Sequence, residues 1–102
     1  MKTTYRQGDI LFIREEDDVI TDETARGQLE IAKGEATGHA HVLEAPEILF
    51  NSWGRDWVTG VKLPVGGVLR HDEHAPIELP GGFYSIRRQR EYSYRESVPA
   101  YD

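Results

Sequence analysis

All four histidines of this 102-residue chain fall into two close pairs. His39 and His41 are one residue apart, and His71 and His74 lie in the run HDEH. Side chains two residues apart on a β-strand project from the same face, so the first pair points in one direction. Neutral imidazole binds zinc, iron, copper, nickel and cobalt. The two pairs therefore predict one metal site, built where the fold brings them together.

The number of histidines that bind the ion decides what such a site can do. Four would close a tetrahedral site, whereas three and a water molecule leave the open position that metal catalysis requires. We expect zinc or iron, and either a metal-bound water that attacks a small molecule or iron chemistry on oxygen fits these ligands. The alternatives are ordinary hydrogen-bonded histidines, or a metal-free cluster that binds an anion or senses pH.

Acidic residues lie close to both pairs in the sequence. Glu35 and Glu44 flank the first pair, and Asp72 and Glu73 lie inside the second. Such carboxylates act as a further metal ligand, as a partner that orients an imidazole, or as a general base. We take Glu35, Glu44 and Glu73 as the candidate catalytic residues.

The elements that must position these side chains are predicted to be short β-strands. Apolar residues alternate with polar ones, or form short runs, between glycine and proline turns. No segment has the apolar periodicity of a helix of ten or more residues. The predicted strands are residues 10–14, 28–33, 39–44, 47–50, 57–63, 68–71, 77–79 and 83–94. About eight short strands predict an all-β fold, a small antiparallel barrel or sandwich.

Composition indicates a soluble protein of one domain, residues 1–102, with residues 97–102 as a loose tail. The absence of cysteine excludes disulfides and thiolate metal ligands. No apolar run is long enough to span a membrane, and no secretory leader is evident, so we expect a cytoplasmic protein without membrane contact. The formal charge of -6 argues against general affinity for nucleic acid.

One segment near the C-terminus is basic and is the place where nucleic acid could still bind. Arg87, Arg88 and Arg90 share a predicted strand with Tyr92. This pattern fits a patch for phosphate or RNA, and it also fits an edge strand whose charges oppose aggregation.

The partners follow from the size of the chain and from the predicted metal site. Because the core is small, we expect a homo-oligomer, and the metal site predicts a small-molecule ligand. The non-enzymatic alternative is a structural module that oligomerises or docks on a partner.

The order of these residues resembles the two metal motifs of the cupin superfamily. Gly34, HAH at 39–41 and Glu44 correspond to the first motif, and PVG at 64–66 with His71 to the second. The resemblance covers roughly residues 34–74. It implies a cupin-like barrel in which His39, His41 and His71 bind a metal and Glu44 is the carboxylate ligand. Strand alternation, by contrast, places Glu44 on the face opposite the histidines.

Four further segments resemble a family of small uncharacterised proteins from bacteria and their phages. They are GDILF, GEATGHAHVLE, HDEHAPIELPGGFY and RRQREYS. Together they cover most of the chain. This resemblance implies one coherent fold and no particular activity.

Overall fold

The computed structural model describes residues 2–33, 39–53 and 55–89. These residues form eight β-strands and no helix, which confirms the predicted all-β class. The strands are β1 (Thr4–Gln7), β2 (Ile10–Glu15), β3 (Glu23–Lys33), β4 (Ala40–Asn51), β5 (Gly60–Leu63), β6 (Gly67–His71), β7 (His74–Leu79) and β8 (Gly82–Arg88). No helix that could cross a membrane is found in the described ranges.

The strands form one antiparallel sheet that nearly closes into a barrel. Their order along the sheet is β1-β2-β8-β5-β4-β6-β7, and β3 pairs with β4 outside this path. β1 and β7, the two ends of the path, contact each other. The long strand β4 pairs with β6 near its N-terminal end and with β5 near its C-terminal end. The barrel therefore brings β1 close to β6 and β7, far along the chain.

β4 runs without interruption through Pro46, where the sequence predicts two separate strands. The segment paired with β6 ends at Glu44, and the segment paired with β5 begins at Leu49. On the other side, the register with β3 shifts between the pairs of Ala25 and Gly27. Because Pro46 lies between the paired segments and opposite this irregularity, its missing N–H removes no ladder hydrogen bond.

The limits of other strands also differ from the prediction, among them β7, which begins at His74 rather than at residue 77. β3 begins at Glu23 rather than at residue 28, because its polar first half pairs along β4 with little burial. β1, a four-residue strand without apolar alternation, is absent from the prediction. β5 begins at Gly60 rather than at Trp57. Residues 90–94 of the last predicted strand, and the tail 97–102, lie outside the described residues.

The interior of the barrel is apolar along most of its length and polar at one end. Ile10, Phe12 and Tyr84 are fully buried, and the rings of Phe12 and Tyr84 pack edge to face with centroids 5.9 Å apart. Three polar residues are buried among the described ones, namely Gln7, His41 and Asn51. Buried polar groups need hydrogen-bond partners, so Gln7 and His41 mark the end of the barrel where the polar interactions concentrate.

Candidate metal centre

Strand register aligns three of the four histidines across neighbouring strands. β4 pairs with β6 through Val42 and Arg70, and continuing this register by one residue places His41 opposite His71. His71 in turn pairs with His74 across a two-residue turn. Residues directly opposite each other share a face of the sheet. The three imidazoles therefore form a row across β4, β6 and β7.

A shift of register between β6 and β7 is required for this row. The pairs up to Leu69 and Ile77 follow one register, which would place His71 opposite Ala75. The register shifts before the His71–His74 pair, as in a β-bulge. Because a shift of one residue exchanges the two faces, it brings His74 to the side of His71.

The distances between the rings follow the spacing of the strands. The ring centroids of His41 and His71 are 4.5 Å apart, and those of His71 and His74 are 4.7 Å apart. His41 and His74 are 6.3 Å apart with nearly parallel rings, and His39 is 5.9 Å from His71. Neighbouring strands lie about 4.8 Å apart, which accounts for the first two values. The structure thus brings together both histidine pairs of the sequence.

Gln7 determines which nitrogen of His41 carries a proton. Its side-chain Nε2 donates to the backbone oxygens of Leu69 and Ala75, each at 3.0 Å. These two bonds orient the amide and direct Oε1 to Nδ1 of His41, also at 3.0 Å. Because an amide oxygen only accepts hydrogen bonds, Nδ1 of His41 must donate. In the neutral ring, Nε2 then carries a lone pair.

This lone pair faces a carboxylate. Nε2 of His41 lies 3.2 Å from Oδ1 of Asp9, and the other oxygen, Oδ2, accepts a hydrogen bond of 2.8 Å from Nε of Arg88. Burial raises the pKa of Asp9, but the hydrogen bond and the charge of Arg88 outweigh it and hold the pKa below its ordinary value. Asp9 is therefore ionised at neutral pH.

His41 is neutral under the same conditions. Burial lowers its pKa below the ordinary value, and the neighbouring His71 lowers it further, against an opposite effect of Asp9. An unprotonated imidazole nitrogen and an ionised carboxylate oxygen thus face each other in a buried place. Two electron-pair donors in this arrangement attract a cation.

His71 and His74 differ in the availability of their nitrogens. Nδ1 of His71 accepts a hydrogen bond of 3.0 Å from the backbone N–H of Glu73, and its side chain is only 4% exposed. His74 is exposed, and its ring lies over Gly8. A Cβ on Gly8 would lie 2.9 Å from Nε2 of His74 and 3.3 Å from Cε1 of His41. The absence of that Cβ keeps space open between the two rings.

His39 is engaged by the acids of the β6–β7 turn. Its Nδ1 donates to Asp72 at 2.5 Å, and its Nε2 lies 3.4 Å from the carboxylate of Glu73. The side chain is 32% exposed, at the rim of the row formed by the other three. Of the carboxylates near the histidines in sequence, Asp72 and Glu73 therefore orient His39.

The other candidate residues lie apart from the row. Glu44 faces outward and pairs with Arg70 at 2.6 Å. It lines, together with His39 and His71, a surface groove of about 620 Å³. Glu35 lies outside the described residues. Among residues 2–33, 39–53 and 55–89, no group of three or more His, Asp or Glu side chains is already arranged to hold a metal ion.

Three residues of the candidate metal centre were not predicted from the sequence. They are Gln7, Asp9 and Arg88. The first two flank the β1–β2 turn, where a polar residue and an acid are ordinary turn residues. Arg88 belongs to the basic strand that was a candidate for phosphate binding. Its side chain is only 6% exposed and is committed to Asp9 and to the backbone oxygen of Lys33, so its charge is directed inward. Arg90 lies outside the described residues.

Comparison with known proteins identifies one family. Residues 6–89 match a family described as a domain of unknown function (DUF8820). The chain belongs to the DUF8820 family. The range that matches DUF8820 includes Gln7, Asp9, all four histidines and Arg88, so the whole candidate site lies within the family domain. No curated protein and no solved structure matches the chain.

The DUF8820 domain is expected to lose stability as the pH falls below about 6.5. The pKa of His41 is lower in the folded protein than in the unfolded chain, so the unfolded chain takes up a proton first, and the free energy of unfolding decreases. Urea unfolding in EDTA at pH 8, 6.5 and 5.5 measures this. The contribution of Asp9, whose pKa is also lowered, is lost only below about pH 3.8, outside this range.

His41→Gln, which cannot titrate, is the control for this measurement. It should show a smaller loss of stability between pH 8 and 5.5 than the wild type. A free energy of unfolding that increases as the pH falls through 6.5 would contradict a neutral, buried His41.

Proposed function

We propose that this protein binds a divalent transition metal ion, zinc or iron, at the row of imidazoles formed by His41, His71 and His74. The separation of the imidazole rings carries the proposal. Two imidazoles on one ion, with bonds of about 2.1 Å, have ring centres about 4.5 to 6.5 Å apart, depending on the angle between the two bonds. The ring centres of the three histidines lie 4.5, 4.7 and 6.3 Å apart, so any two of them are close enough to bind one ion.

Binding requires a change of side-chain orientation, because the donor atoms do not yet point to one place. His74 is exposed and begins β7, so its ring can turn without disturbing the core. Ordering one such side chain costs about 1–2 kcal/mol, whereas structural zinc sites contribute about 10–16 kcal/mol of binding free energy. The change is therefore small compared with the gain.

A metal-dependent reaction on a small molecule is the use of this site that we propose. The groove beside the row has a volume of about 620 Å³, which is in the usual range for small-molecule sites of about 300–1,000 Å³. His71 lines both the groove and the row of imidazoles. A small molecule in the groove would therefore contact the row at His71, from the outer face of β4 to which Val42 and Glu44 belong. His39, oriented by Asp72, would be in a position to move a proton.

The metal-binding proposal is tested by metal uptake of the untagged protein. We expect one equivalent of Zn²⁺ or Co²⁺ for the wild type, measured by mass spectrometry of metal content and by Co²⁺ absorption. The variant His41→Ala/His74→Ala should bind none. His74→Ala alone, at an exposed position, should weaken binding at least about 10-fold without loss of the fold.

His39→Ala is the matched control. It removes an imidazole that is held by Asp72 and Glu73, so uptake should remain stoichiometric. A wild type that takes up no metal, or variants at His41 and His74 that bind as the wild type does, would refute the proposal.

A further inference from the structure

We infer that Asp9 is the carboxylate ligand of this metal site, so that two histidines, His41 and His74, and one carboxylate hold the ion. The inference rests on the proposed metal binding and specifies its ligand set. It adds a ligand from the β1–β2 turn, about 30 residues before the first histidine of the row in the sequence. It also changes the class of metal that the site should prefer.

His41 offers a nitrogen lone pair. Because Gln7 accepts from Nδ1, the neutral ring offers Nε2 as a donor to a cation. The amide of Gln7 is itself held by two backbone oxygens and is 2% exposed. This is the usual arrangement of metal-binding histidines, in which the second ring nitrogen donates to an oxygen that fixes the tautomer and the ring.

The donor atoms of His41 and Asp9 lie close together. Nε2 of His41 and Oδ1 of Asp9 are 3.2 Å apart. Two atoms bound to one ion at about 2.1 Å, with an angle between 90° and 109°, lie about 3.0–3.4 Å apart. The pair thus already has the separation of two ligands of one ion. A proton on Nε2 is the other cation that fits this gap, and the experiment below distinguishes the two.

The orientation of the Asp9 carboxylate is fixed by Arg88. Arg88 binds Oδ2 and leaves Oδ1 directed to His41. The side chains of Arg88 and Asp9 are 6% and 18% exposed. Since one oxygen is occupied and the carboxylate is partly buried, Asp9 would bind an ion through Oδ1 alone.

His74, rather than His71, is suited to be the third ligand. Nδ1 of His71 accepts from the amide of Glu73, so in the neutral ring its Nε2 carries the proton and donates instead of binding a metal. Nε2 of His74 lies against Gly8, on the side where the ring of His41 also lies. Gly8 has φ +60, a value that favours glycine, and its missing Cβ leaves room there. His74 is therefore the second histidine of the set.

This ligand set favours one class of metal. Two histidines and one carboxylate with open positions are typical of non-haem Fe(II) sites, whereas closed tetrahedral sites of nitrogen ligands favour zinc. The structure thus favours Fe(II), or another ion of octahedral preference, with positions open to small ligands.

The test compares the metal affinities of Asp9→Asn and the wild type. Both affinities are measured by competition with a chromophoric chelator, for Fe(II) under anaerobic conditions and for Zn²⁺. Asn keeps the shape of the side chain and removes its charge. We expect binding of Fe(II) to weaken at least about 100-fold. Asp72→Asn, which removes the carboxylate bound to His39, is the matched control and should change the affinity less than about twofold.

Removal of the charge of Asp9 alone leaves the buried charge of Arg88 without its partner, which can unfold a small domain. The variant Asp9→Asn/Arg88→Gln removes both charges and keeps the experiment valid in that case. Equal affinity of the wild type and both Asp9 variants, in a protein that binds metal, overturns this inference and leaves the metal-binding proposal intact. A wild type that binds neither ion overturns both.

Discussion

Gln7→Leu is expected to lower the free energy of unfolding by about 2–4 kcal/mol. The amide of Gln7 connects β1 to β6 and β7 through the backbone oxygens of Leu69 and Ala75, and to β4 through His41. These bonds lie at the closure of the barrel, where β1 and β7 touch without a backbone ladder. Leucine fills a similar volume and leaves three polar groups without their partner.

The magnitude follows from two opposite effects. A buried donor or acceptor without a partner costs about 1–3 kcal/mol. Burial of leucine instead of an amide returns about 2 kcal/mol. With three groups affected, the loss exceeds the gain. Since small domains have a total stability of about 5–15 kcal/mol, the variant should have a clearly lower urea midpoint.

Gln28→Leu is the matched control, because it makes the same substitution at an exposed position of β3. It should change the free energy of unfolding by less than about 0.5 kcal/mol. If Gln7→Leu has an equally small effect, the amide of Gln7 does not stabilise the closure of the barrel. Its contact with Nδ1 of His41 then does not determine which nitrogen of that ring carries a proton.

Metal binding is expected to raise the melting temperature of the wild type by about 10–20 °C. A ligand at 100 times its Kd stabilises the folded state by about 2.7 kcal/mol, and 1 kcal/mol shifts the Tm of a domain of this size by about 4–8 °C. Differential scanning calorimetry with Zn²⁺ or Fe(II), followed by addition of EDTA, measures the rise and its reversal.

The variant His41→Ala/His74→Ala should show no rise at the same metal concentrations. An equal rise in this variant would locate the stabilising ion elsewhere in the molecule. The unfolded chain also contains histidines, and any binding to it would make the measured rise smaller.

The fold was predictable where local patterns determine it. Alternation in residues 10–14 and 39–44 predicts strands because the side-chain period of a strand is a local property. The same local patterns did not predict the first half of β3. Glu23 and its neighbours are polar, remain exposed and pair with β4. The sequence also predicted two separate strands before and after Pro46, because proline commonly ends a strand. In the structure β4 continues through Pro46, because no neighbouring strand pairs with β4 at this residue.

The candidate site was predictable in its histidines and not in its other residues. Spacing alone indicates that His39 and His41 share a direction and that His71 and His74 lie on one turn. Their meeting depends on the register between β4 and β6 and on the shift between β6 and β7. The cupin resemblance, with Glu44 as a metal ligand, stays a prediction, and in this structure Glu44 is paired with Arg70 on the outer face.

The sequence by itself indicated the histidines as candidate metal ligands and predicted that the chain folds into short antiparallel strands, because both depend on residue type and on local periodicity. Only the tertiary structure decided which nitrogen of His41 carries a proton and which carboxylate faces the other nitrogen. Gln7 and Asp9 are 34 and 32 residues away from His41 in the chain and reach it through the closure of the barrel. Protonation depends on such long-range contacts, and local sequence patterns do not contain them.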